Sequence, residues 1–382
     1  MHKPVSWHEA REAARVTAKP LDPVELALDR ALGTVLANPV LALTALPSFD
    51  NSAMDGFAVA GHGPWTVLGR VHAGGEPFPE ALRPGQAVEI ATGAPVPLGA
   101  DTVLPVEHAE RARDRVTGQV TPGRHIRRAG EDCPCGVELI PSGRPVTPAL
   151  LGLAASVGYD TLVVHRRPRV AVLVTGDELV SAGPPPPGRV RDAIGPLLPG
   201  LVSAAGGELV ASRQLPDQRP ALADSLSTMD AEVLVVCGAT SKGPADHLRG
   251  ALRDLDADLV IASVACRPGH PQLLAVLPDG RCVVGLPGNP FAALAAVVTL
   301  LAPLVSGFGG HAPPPVTTAR LTGDVTAHPR DTRLIPVLRA GDEAVPAGHD
   351  RPGTLWGAAL ADALAVVPPD WSRGRTELLI LR

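Results

Sequence analysis

The sequence predicts a multi-domain protein in which a central doubly wound α/β domain is combined with separate β-rich parts. Three observations lead to this fold class. Apolar runs alternate with helical patterns over residues 166–308, which is typical of a parallel sheet covered on both faces. Short apolar runs separated by Pro and Gly over residues 41–126 and 316–382 indicate β-structure. The 382 residues are sufficient for several domains.

The predicted boundaries follow these changes of pattern, and the Pro-rich segment 311–315 is a linker. We predict four parts. They are an N-terminal linker domain (1–40 with 127–165), an inserted β-rich domain (41–126), the α/β domain (166–308) and a small C-terminal β domain (316–382).

The N-terminal part begins with a helix signal. Ser6 is followed three residues later by Glu9, a capping box, and residues 6–36 predict a helix, a turn and a second helix. Residues 147–159 predict one more helix. In the α/β domain, residues 167–179 predict a strand that ends in a polar turn, and residues 231–238 predict another strand.

The longest apolar stretch, residues 290–305, is too short and too Ala-rich for a membrane span, so we expect a buried helix. The polar N-terminus lacks the apolar core of a signal peptide. Net charge is −5 and the densest basic segment, 111–128, is broken by turn residues, so we expect no nucleic-acid or membrane partner. The cysteines form no zinc pattern, which predicts free thiols in a cytoplasmic protein.

Three strand ends of the α/β domain carry polar or Gly-rich turns, and ligands of an open parallel sheet bind at that edge. We expect Asn289 to cap a helix whose free N–H groups form an anion site. Taken alone, each of these segments is usually no more than a connecting turn, but three of them at one sheet edge, with acids and a lone lysine, favour a site for a phosphate-containing ligand. The three turns place Thr175, Asp177 and Glu178; Ser241, Lys242 and Asp246; and Gly288 and Asn289.

The chain contains three lysines, Lys3, Lys19 and Lys242. Lys242 follows Ser241 and precedes Gly243. It does not belong to a P-loop, where the lysine follows the glycine. A nest of backbone amides over residues 238–243 and a plain surface lysine are both compatible with the pattern.

Long blocks of this sequence resemble the molybdopterin molybdenumtransferases, the MoeA/gephyrin E-domain family. The block "LPSFDNSAMDGFAV" (46–59) resembles the family signature most closely. Four further blocks follow in the family's order: 91–107, 127–136, 166–180 and 283–294.

The resemblance implies a homodimer with a molybdopterin-binding α/β domain and a small C-terminal β-barrel. It also implies an enzyme that inserts molybdate into adenylylated molybdopterin and releases AMP, assisted by a divalent cation such as Mg²⁺. The active site would lie between the α/β domain of one subunit and the "DNSAMDG" module of the other. Transient contacts with other cofactor-biosynthesis proteins or apo-molybdoenzymes are implied as well.

Site residues are carried over from the matching blocks. The implied catalytic residues are Asp55, Glu178 and Asp246. The implied metal ligands are Asp55, Asp177, Glu178 and Asp246, because Mg²⁺ takes carboxylate and phosphate oxygens. The expected ligand-binding residues are Asn51, Ser52, Thr92, Thr175, Gly176, Ser241, Gly243, Arg267, His270, Pro287, Gly288 and Asn289, to which we add Lys242 although the family pattern has no lysine at that position.

The sequence departs from the family pattern at this expected site. The family's G-G-x-S-x-G-x-x-D loop has Ala239 at its second glycine and Lys242 in place of the usual valine. The K-P-G-K-P segment reads Arg267-Pro-Gly-His270-Pro, and the usual Ser-Asn pair is Ala193-Ile194. A C-terminal Gly-Ser-Gly is replaced by a segment whose nearest hydroxyl is that of Thr354.

These departures leave alternatives open. An active insertion enzyme is one reading, and a divergent paralogue that carries or senses molybdopterin or its nucleotide with weak or no insertion is another. A scaffolding role is a third. We hypothesise that Lys242 replaces part of the positive charge lost at residue 270, so that Lys242→Ala weakens ligand binding with little change in stability.

Overall fold

The computed structural model describes residues 3–238 and 247–381, which form two compact units. The first unit comprises Met1–Val24, Gly33–Ala37 and Val164–Arg382, and the second comprises Glu25–Leu32 and Asn38–Val163. Each unit is described by itself.

The described α-helices are α1 (Trp7–Thr17), α2 (Leu28–Ala31), α3 (Pro148–Ser156), α4 (Leu198–Ala204), α5 (Arg219–Thr228), α6 (His247–Asp254), α7 (Pro290–Ala296), α8 (Ala302–Phe308) and α9 (Trp356–Leu360).

The described strands are β1 (Val5–Ser6), β2 (Pro23–Ala27), β3 (Val35–Leu36), β4 (Val40–Leu41), β5 (Asn51–Ser52), β6 (Gly56–Val59), β7 (Trp65–Val71), β8 (Gln86–Ile90), β9 (Thr102–Pro105), β10 (Glu110–Ala112), β11 (Arg115–Thr117), β12 (Ile126–Arg127), β13 (Glu138–Ile140), β14 (Thr161–His165), β15 (Arg169–Thr175), β16 (Leu179–Val180), β17 (Val190–Arg191), β18 (Glu208–Leu215), β19 (Val233–Cys237), β20 (Asp258–Ile261), β21 (Val264–Arg267), β22 (Leu273–Val276), β23 (Cys282–Leu286), β24 (Thr317–Leu321), β25 (Thr332–Ala340), β26 (Glu343–Pro346), β27 (Ala363–Val367) and β28 (Gly374–Ile380).

The α/β sheet of the first unit has the strand order β18-β15-β19-β23-β22-β20. β18, β15, β19 and β23 are parallel, as predicted, but β22 and β20 are antiparallel to their neighbours. The all-parallel expectation was therefore wrong at this edge. The physical reason is the short connection between β22 and β23, because a parallel pair needs a crossover of a dozen residues or more.

Both faces of this sheet are covered, as the continuous apolar strands predicted. Along β15, Val170, Val172 and Val174 pack into one core, which also holds Trp7. Ala171 and Leu173 pack into the core on the opposite face, against α5 and α6. Side chains alternate across a strand, so a strand buried on both faces is apolar throughout.

The apolar stretch at 290–305 forms a buried helical segment that extends to Phe308. It contains a π-helical turn at Val297–Leu301, and the indole N–H of Trp7 donates to the Thr299 hydroxyl at 3.0 Å. The segment Pro290–Phe308 is long and apolar enough to cross a membrane, but 72% of it is buried inside the protein. Its burial makes it a core helix of the first unit.

The capping box of α1 is present as predicted: Ser6 Oγ accepts from the Glu9 N–H, and the Glu9 carboxylate accepts from the Ser6 N–H. The second predicted helix was largely wrong. Residues Pro23–Ala27 form a strand with alternating exposure, and only Leu28–Ala31 is helical. The two prolines at 20 and 23 prevent a continuous helix here, since proline lacks the N–H donor that a helix interior requires.

The C-terminal strands close into a small barrel in the order β25-β26-β24-β28-β27, with β27 pairing back to β25. This confirms the small C-terminal β-barrel. β21 of the α/β region pairs in parallel with β25, and β1 pairs in parallel with β21. The N-terminal strand, the 264–267 strand and the barrel are thereby joined in one hydrogen-bonded sheet.

The second unit is built on a six-stranded sheet in the order β10-β11-β7-β8-β6-β9. Alternate residues of its strands enter two small cores, one containing Val88 and Ile90 and the other containing Phe57 and Trp65. Two short antiparallel strand pairs, β5–β12 and β4–β13, also belong to this unit. The unit is β-rich, as its Pro/Gly-punctuated pattern indicated.

Candidate active site

The carboxyl ends of β15, β19 and β23 meet in close backbone contact. The Thr175 hydroxyl donates to the Cys237 carbonyl at 2.9 Å, and the Gly238 N–H donates to the Leu286 carbonyl at 3.1 Å. A Cβ on Gly238 would lie 2.6 Å from the Thr175 carbonyl oxygen. Glycine is therefore required at 238, and the strand ends come together as predicted.

A cleft of about 590 Å³ opens at this edge, and we call it the strand-end cleft. Among the predicted site residues it is lined by Thr175, Glu178, Pro287, Gly288 and Asn289. Gly176 adjoins it in sequence, and a Cβ there would lie 3.0 Å from both Glu178 carboxylate oxygens.

Asp177 has a different position from its neighbour Glu178. It does not line the strand-end cleft, and it exchanges backbone-to-carboxylate hydrogen bonds with Asp217 at 3.3 and 3.4 Å. Arg189 also donates to the Asp177 carbonyl. Asp177 thus stabilises the turn after β15.

Asp192, which the sequence reasoning missed, lines the strand-end cleft with Glu178. Its Oδ1 accepts from the N–H groups of Ile194 and Gly195, both at 2.9 Å. The departures Ala193 and Ile194 line the same cleft, so this wall offers a carboxylate beside apolar side chains. Asp192 follows the exposed two-residue strand β17, so no apolar run in the sequence pointed to it.

Asn289 is the N-cap of α7 and Pro290 occupies its first turn, as predicted, but the Asn289 side chain makes no capping hydrogen bond. The anion site expected from this helix has few free donors. Proline has no N–H, and the Phe291 N–H donates to the Pro352 carbonyl at 2.9 Å. Anion binding here therefore needs side-chain cations.

Such cations line a second cleft of about 920 Å³, which we call the basic cleft. It shares Pro271, Pro287 and Asn289 with the strand-end cleft, so the two clefts have a common wall. The charged residues that line it are Lys3, Arg267, Arg330, Arg333, Asp331 and Asp350. These groups leave an excess of two positive charges.

Two of the cations are paired with the two acids. Arg267 Nε donates to Asp331 at 2.8 Å, and Arg333 donates to Asp350 at 2.5 Å. The Arg267 side chain is nevertheless 60% exposed, so its remaining donors face the cleft or solvent. Within residues 3–238 and 247–381, neither Lys3 nor Arg330 has an ion pair in the structure.

The turn that carries His270 is fixed by buried contacts. The Gln272 amide donates to the Gly269 carbonyl at 2.9 Å and to the Cys266 sulfur at 3.1 Å. Gly269 has a positive φ of 106°, and a Cβ there would lie 3.2 Å from the Ala292 carbonyl oxygen. Arg267 and His270 are thus presented to the basic cleft from a rigid turn.

The five cysteines are free, as predicted. Burial raises the pKa of Cys237, which lines the strand-end cleft, and raises that of Cys266 to about 12. Both thiols remain protonated at neutral pH, so neither is a nucleophile.

Asp55 and Thr92 meet in the second unit. The Thr92 N–H and hydroxyl both donate to Asp55 Oδ1, at 2.7 and 2.9 Å, and they hold the pKa of Asp55 below its ordinary value. Asp55 lines a small cleft of about 270 Å³ with Arg70 and His72. A Cβ on Gly56 would lie 2.0 Å from the Leu104 carbonyl oxygen, so the turn after Asp55 requires glycine.

Asn51 and Ser52 are buried in the second unit. Asn51 Nδ2 donates to the Phe49 carbonyl at 3.2 Å, and the Ser52 hydroxyl donates to the Met54 carbonyl at 2.5 Å. In this arrangement both side chains stabilise the "DNSAMDG" turn.

Asp50, which the sequence reasoning did not single out, connects two blocks that are far apart in the sequence. Its carboxylate accepts from the Ala129 N–H at 2.8 Å and pairs with Arg128 at 2.5 Å. The Ala129 N–H and Arg128 lower the pKa of Asp50. The 46–59 and 127–136 blocks are therefore joined by a charged hydrogen-bond network.

Ser241, Lys242, Gly243 and Asp246, together with Ala239, lie outside the described residues. Over the described ranges, no group of three or more His, Cys, Asp or Glu side chains is arranged to hold a metal ion. Glu178 and Asp192 both line the strand-end cleft, and a Mg²⁺ ion can be held by one or two carboxylates together with waters and substrate phosphates.

The fold defines a multi-domain protein in which an α/β domain with two adjoining clefts is combined with β-rich parts. Family models match in chain order: a MoeA N-terminal region (domain I and II) over residues 5–158, a probable molybdopterin binding domain over 171–307, and a MoeA C-terminal region (domain IV) over 318–374.

The chain belongs to the molybdopterin molybdenumtransferase family. It is 37% identical over 333 residues to molybdopterin molybdenumtransferase 2 of Mycobacterium tuberculosis, covering 81% of this chain and 82% of that protein. The molybdopterin molybdenumtransferase of a Nostoc species is 34% identical, covering 74% and 68%. Among solved structures, the molybdopterin biosynthesis MoeA protein of Pyrococcus horikosii is 27% identical with a TM-score of 0.82, covering 100% of both chains.

Proposed function

We propose that this chain is a transferase of molybdenum cofactor biosynthesis that inserts molybdate into adenylylated molybdopterin and releases AMP. The observation that carries the proposal is the wall shared by the strand-end cleft and the basic cleft, formed by Pro271, Pro287 and Asn289. Two substrates that must react can occupy adjoining clefts there. The relatives reported above are named molybdopterin molybdenumtransferases, which supports the proposal.

The basic cleft suits the oxyanion. Molybdate is a dianion, and the lining side chains carry an excess of two positive charges. Arg267 offers a planar fork of donors suited to oxyanions. Pro287 and Asn289 line both clefts, so an oxyanion in the basic cleft would lie next to a ligand in the strand-end cleft.

The strand-end cleft suits the pterin nucleotide. Gly238 and Gly288 both line it, and neither has a side chain to fill the space beside the strand ends, where ligands of open α/β sheets bind. Ser241, Lys242 and Gly243 follow Gly238 in the sequence, and we assign them to the same ligand.

Glu178 and Asp192 would hold a Mg²⁺ ion in this cleft, with Asp246 as a further sequence-based candidate. The ion would neutralise charge on the phosphate oxygens during AMP release. Asp177 is engaged with Asp217, and we give it a supporting role in the turn.

Asp55 belongs to the second unit. Because the family resemblance implies a site shared between subunits, we propose that a homodimer brings Asp55 and Thr92 of one copy to the clefts of another. The two hydrogen bonds from Thr92 keep Asp55 ionised for that role. We place the reaction in the cytoplasm, followed by transient transfer to an apo-molybdoenzyme or another cofactor-biosynthesis protein.

The test is AMP release from adenylylated molybdopterin with molybdate and Mg²⁺. We expect Glu178→Gln to slow release about 100-fold, because it removes a charge that acts on the reacting phosphate, while binding of the pterin nucleotide persists. Glu208→Gln is the matched control, since Glu208 is exposed at the opposite end of the sheet. Full activity in Glu178→Gln would remove Glu178 from the site, and nucleotide binding without AMP release in the wild type would indicate a carrier.

A further inference from the structure

The N-terminal segment lies directly beside the turn that carries His270. Val5 of β1 is the register partner of Val264 in β21, and the Val5 N–H donates to the Ser263 carbonyl at 3.2 Å. The Val264 N–H in turn donates to the His270 carbonyl at 3.2 Å. The chain just before Val5 is therefore held next to residue 270 by backbone hydrogen bonds.

Lys3 is the cation that this arrangement brings to the basic cleft. Pro4 follows it and restricts its backbone to extended conformations, which limits where the side chain can reach. The pKa of Glu9 lies below its ordinary value, mainly because of its hydrogen bonds with Ser6 and in smaller part because of Lys3. Glu9 already forms the capping box with Ser6, and Lys3 has no ion pair in the described part of the chain.

Lys3 also matters for the net charge of the basic cleft. Arg267 and Arg333 are each opposed by an aspartate, so these pairs together contribute no excess charge. The positive excess comes from Lys3 and Arg330. Histidine, unlike lysine or arginine, is not a permanent cation, and His270 contributes a hydrogen-bonding group to the cleft.

We propose that Lys3 binds the molybdate dianion in the basic cleft and supplies a permanent positive charge beside His270. This inference rests on the proposed function for the identity of the anion. It assigns a specificity-determining role to the N-terminal segment, and it gives an alternative to the hypothesis that Lys242 compensates for residue 270.

The direct test is calorimetric titration of the full chain with sodium molybdate at low ionic strength. We expect Lys3→Ala to weaken binding about fivefold, the scale of an exposed ion pair, and Lys3→Arg to retain it. Lys19→Ala is the matched control, because Lys19 is exposed and does not line the cleft. In the Lys3→Ala background, His270→Lys should restore binding by returning a cation to the neighbouring position.

Three results would overturn the inference: unchanged molybdate binding in Lys3→Ala, an equal loss in Lys19→Ala, or no molybdate binding by the wild type. Lys242→Ala, measured in parallel, shows whether that lysine shares the role. AMP release separates this inference from the proposed function. If the wild type releases AMP but molybdate binding does not depend on Lys3, only the role of Lys3 is rejected. If molybdate binding depends on Lys3 but the wild type releases no AMP, only the insertion reaction is rejected.

Discussion

Gly238 shows how a single residue shapes the candidate active site. Its φ of 102° is one that side-chain-bearing residues rarely adopt, and a Cβ there would lie 2.6 Å from the Thr175 carbonyl oxygen. The strand ends can approach each other only because this position has no side chain. The shape of the strand-end cleft therefore depends on a glycine at position 238.

We expect Gly238→Ala to lower the free energy of unfolding by about 3 kcal/mol, because backbone strain and the clash with Thr175 add together. Gly280→Ala is the matched control. Gly280 also has a positive φ, 89°, but a Cβ there meets no atom within 4 Å, so the control should cost only about 1 kcal/mol. Urea unfolding of both variants measures the difference, and equal losses would show that Thr175 yields without cost.

Site residues were predictable from the sequence where they follow an apolar run that is typical of a buried strand. Thr175 and Glu178 follow the buried strand β15, and both line the strand-end cleft. Asp192 was missed because it follows β17, two exposed residues with no apolar signal. Arg330 and Arg333 were missed because only the pairing of β21 with β25 brings them to Arg267.

At the scale of elements, the start of β15 is fixed by an ion network away from the clefts. The Glu232 carboxylate accepts from the Arg169 N–H at 2.7 Å and from the Arg166 side chain at 3.0 Å. Burial acts to raise the pKa of Glu232, but the hydrogen bonds with Arg166 and Arg169 outweigh it and the pKa is lowered. The ionised form of Glu232 therefore stabilises the folded sheet.

The sign of the pH dependence follows from this lowered pKa. The stabilisation is fully present above the ordinary value of 4.5 and is lost as the pH falls through the lower, folded-state value. We expect Glu232→Gln to reduce the free energy of unfolding by about 2 kcal/mol at pH 7, the scale of charged hydrogen bonds, with the difference disappearing in acid.

Thermal or urea unfolding across this pH range checks the expectation. Asp230→Asn is the comparison variant, because Asp230 pairs with the same Arg169 but is 84% exposed, so its effect should be small. A Glu232→Gln deficit that persists unchanged into acid would contradict the assignment.

Helices and strands were predictable where the periodicity of the apolar residues was clear. They were less predictable where the length of a connection determines how two strands pair. The predicted parallel strands β15, β19 and β23 are present, whereas the antiparallel edge β22–β20 follows from the short turn before β23. The strand Pro23–Ala27 replaced part of a predicted helix because prolines interrupt it. Propensity alone did not reveal which of these short segments would pair.

At the scale of the whole molecule, the C-terminal barrel and the α/β region both belong to the first unit and both line the candidate active site. β21 connects them, because it leads into the Arg267–His270 turn and pairs with β25 of the barrel. The loop at Pro352 and Gly353 also lines the clefts. The small barrel thus contributes cations and loops to the candidate site as well as stability.

The central claim is that the two adjoining clefts couple molybdate insertion to AMP release. The most direct measurement incubates the purified chain with adenylylated molybdopterin, molybdate and Mg²⁺, and quantifies both AMP and pterin-bound molybdenum over time. We predict that the two products appear in equal amounts and that AMP release stops when molybdate is omitted. AMP release that is independent of molybdate, or nucleotide binding with neither product formed, would contradict the claim.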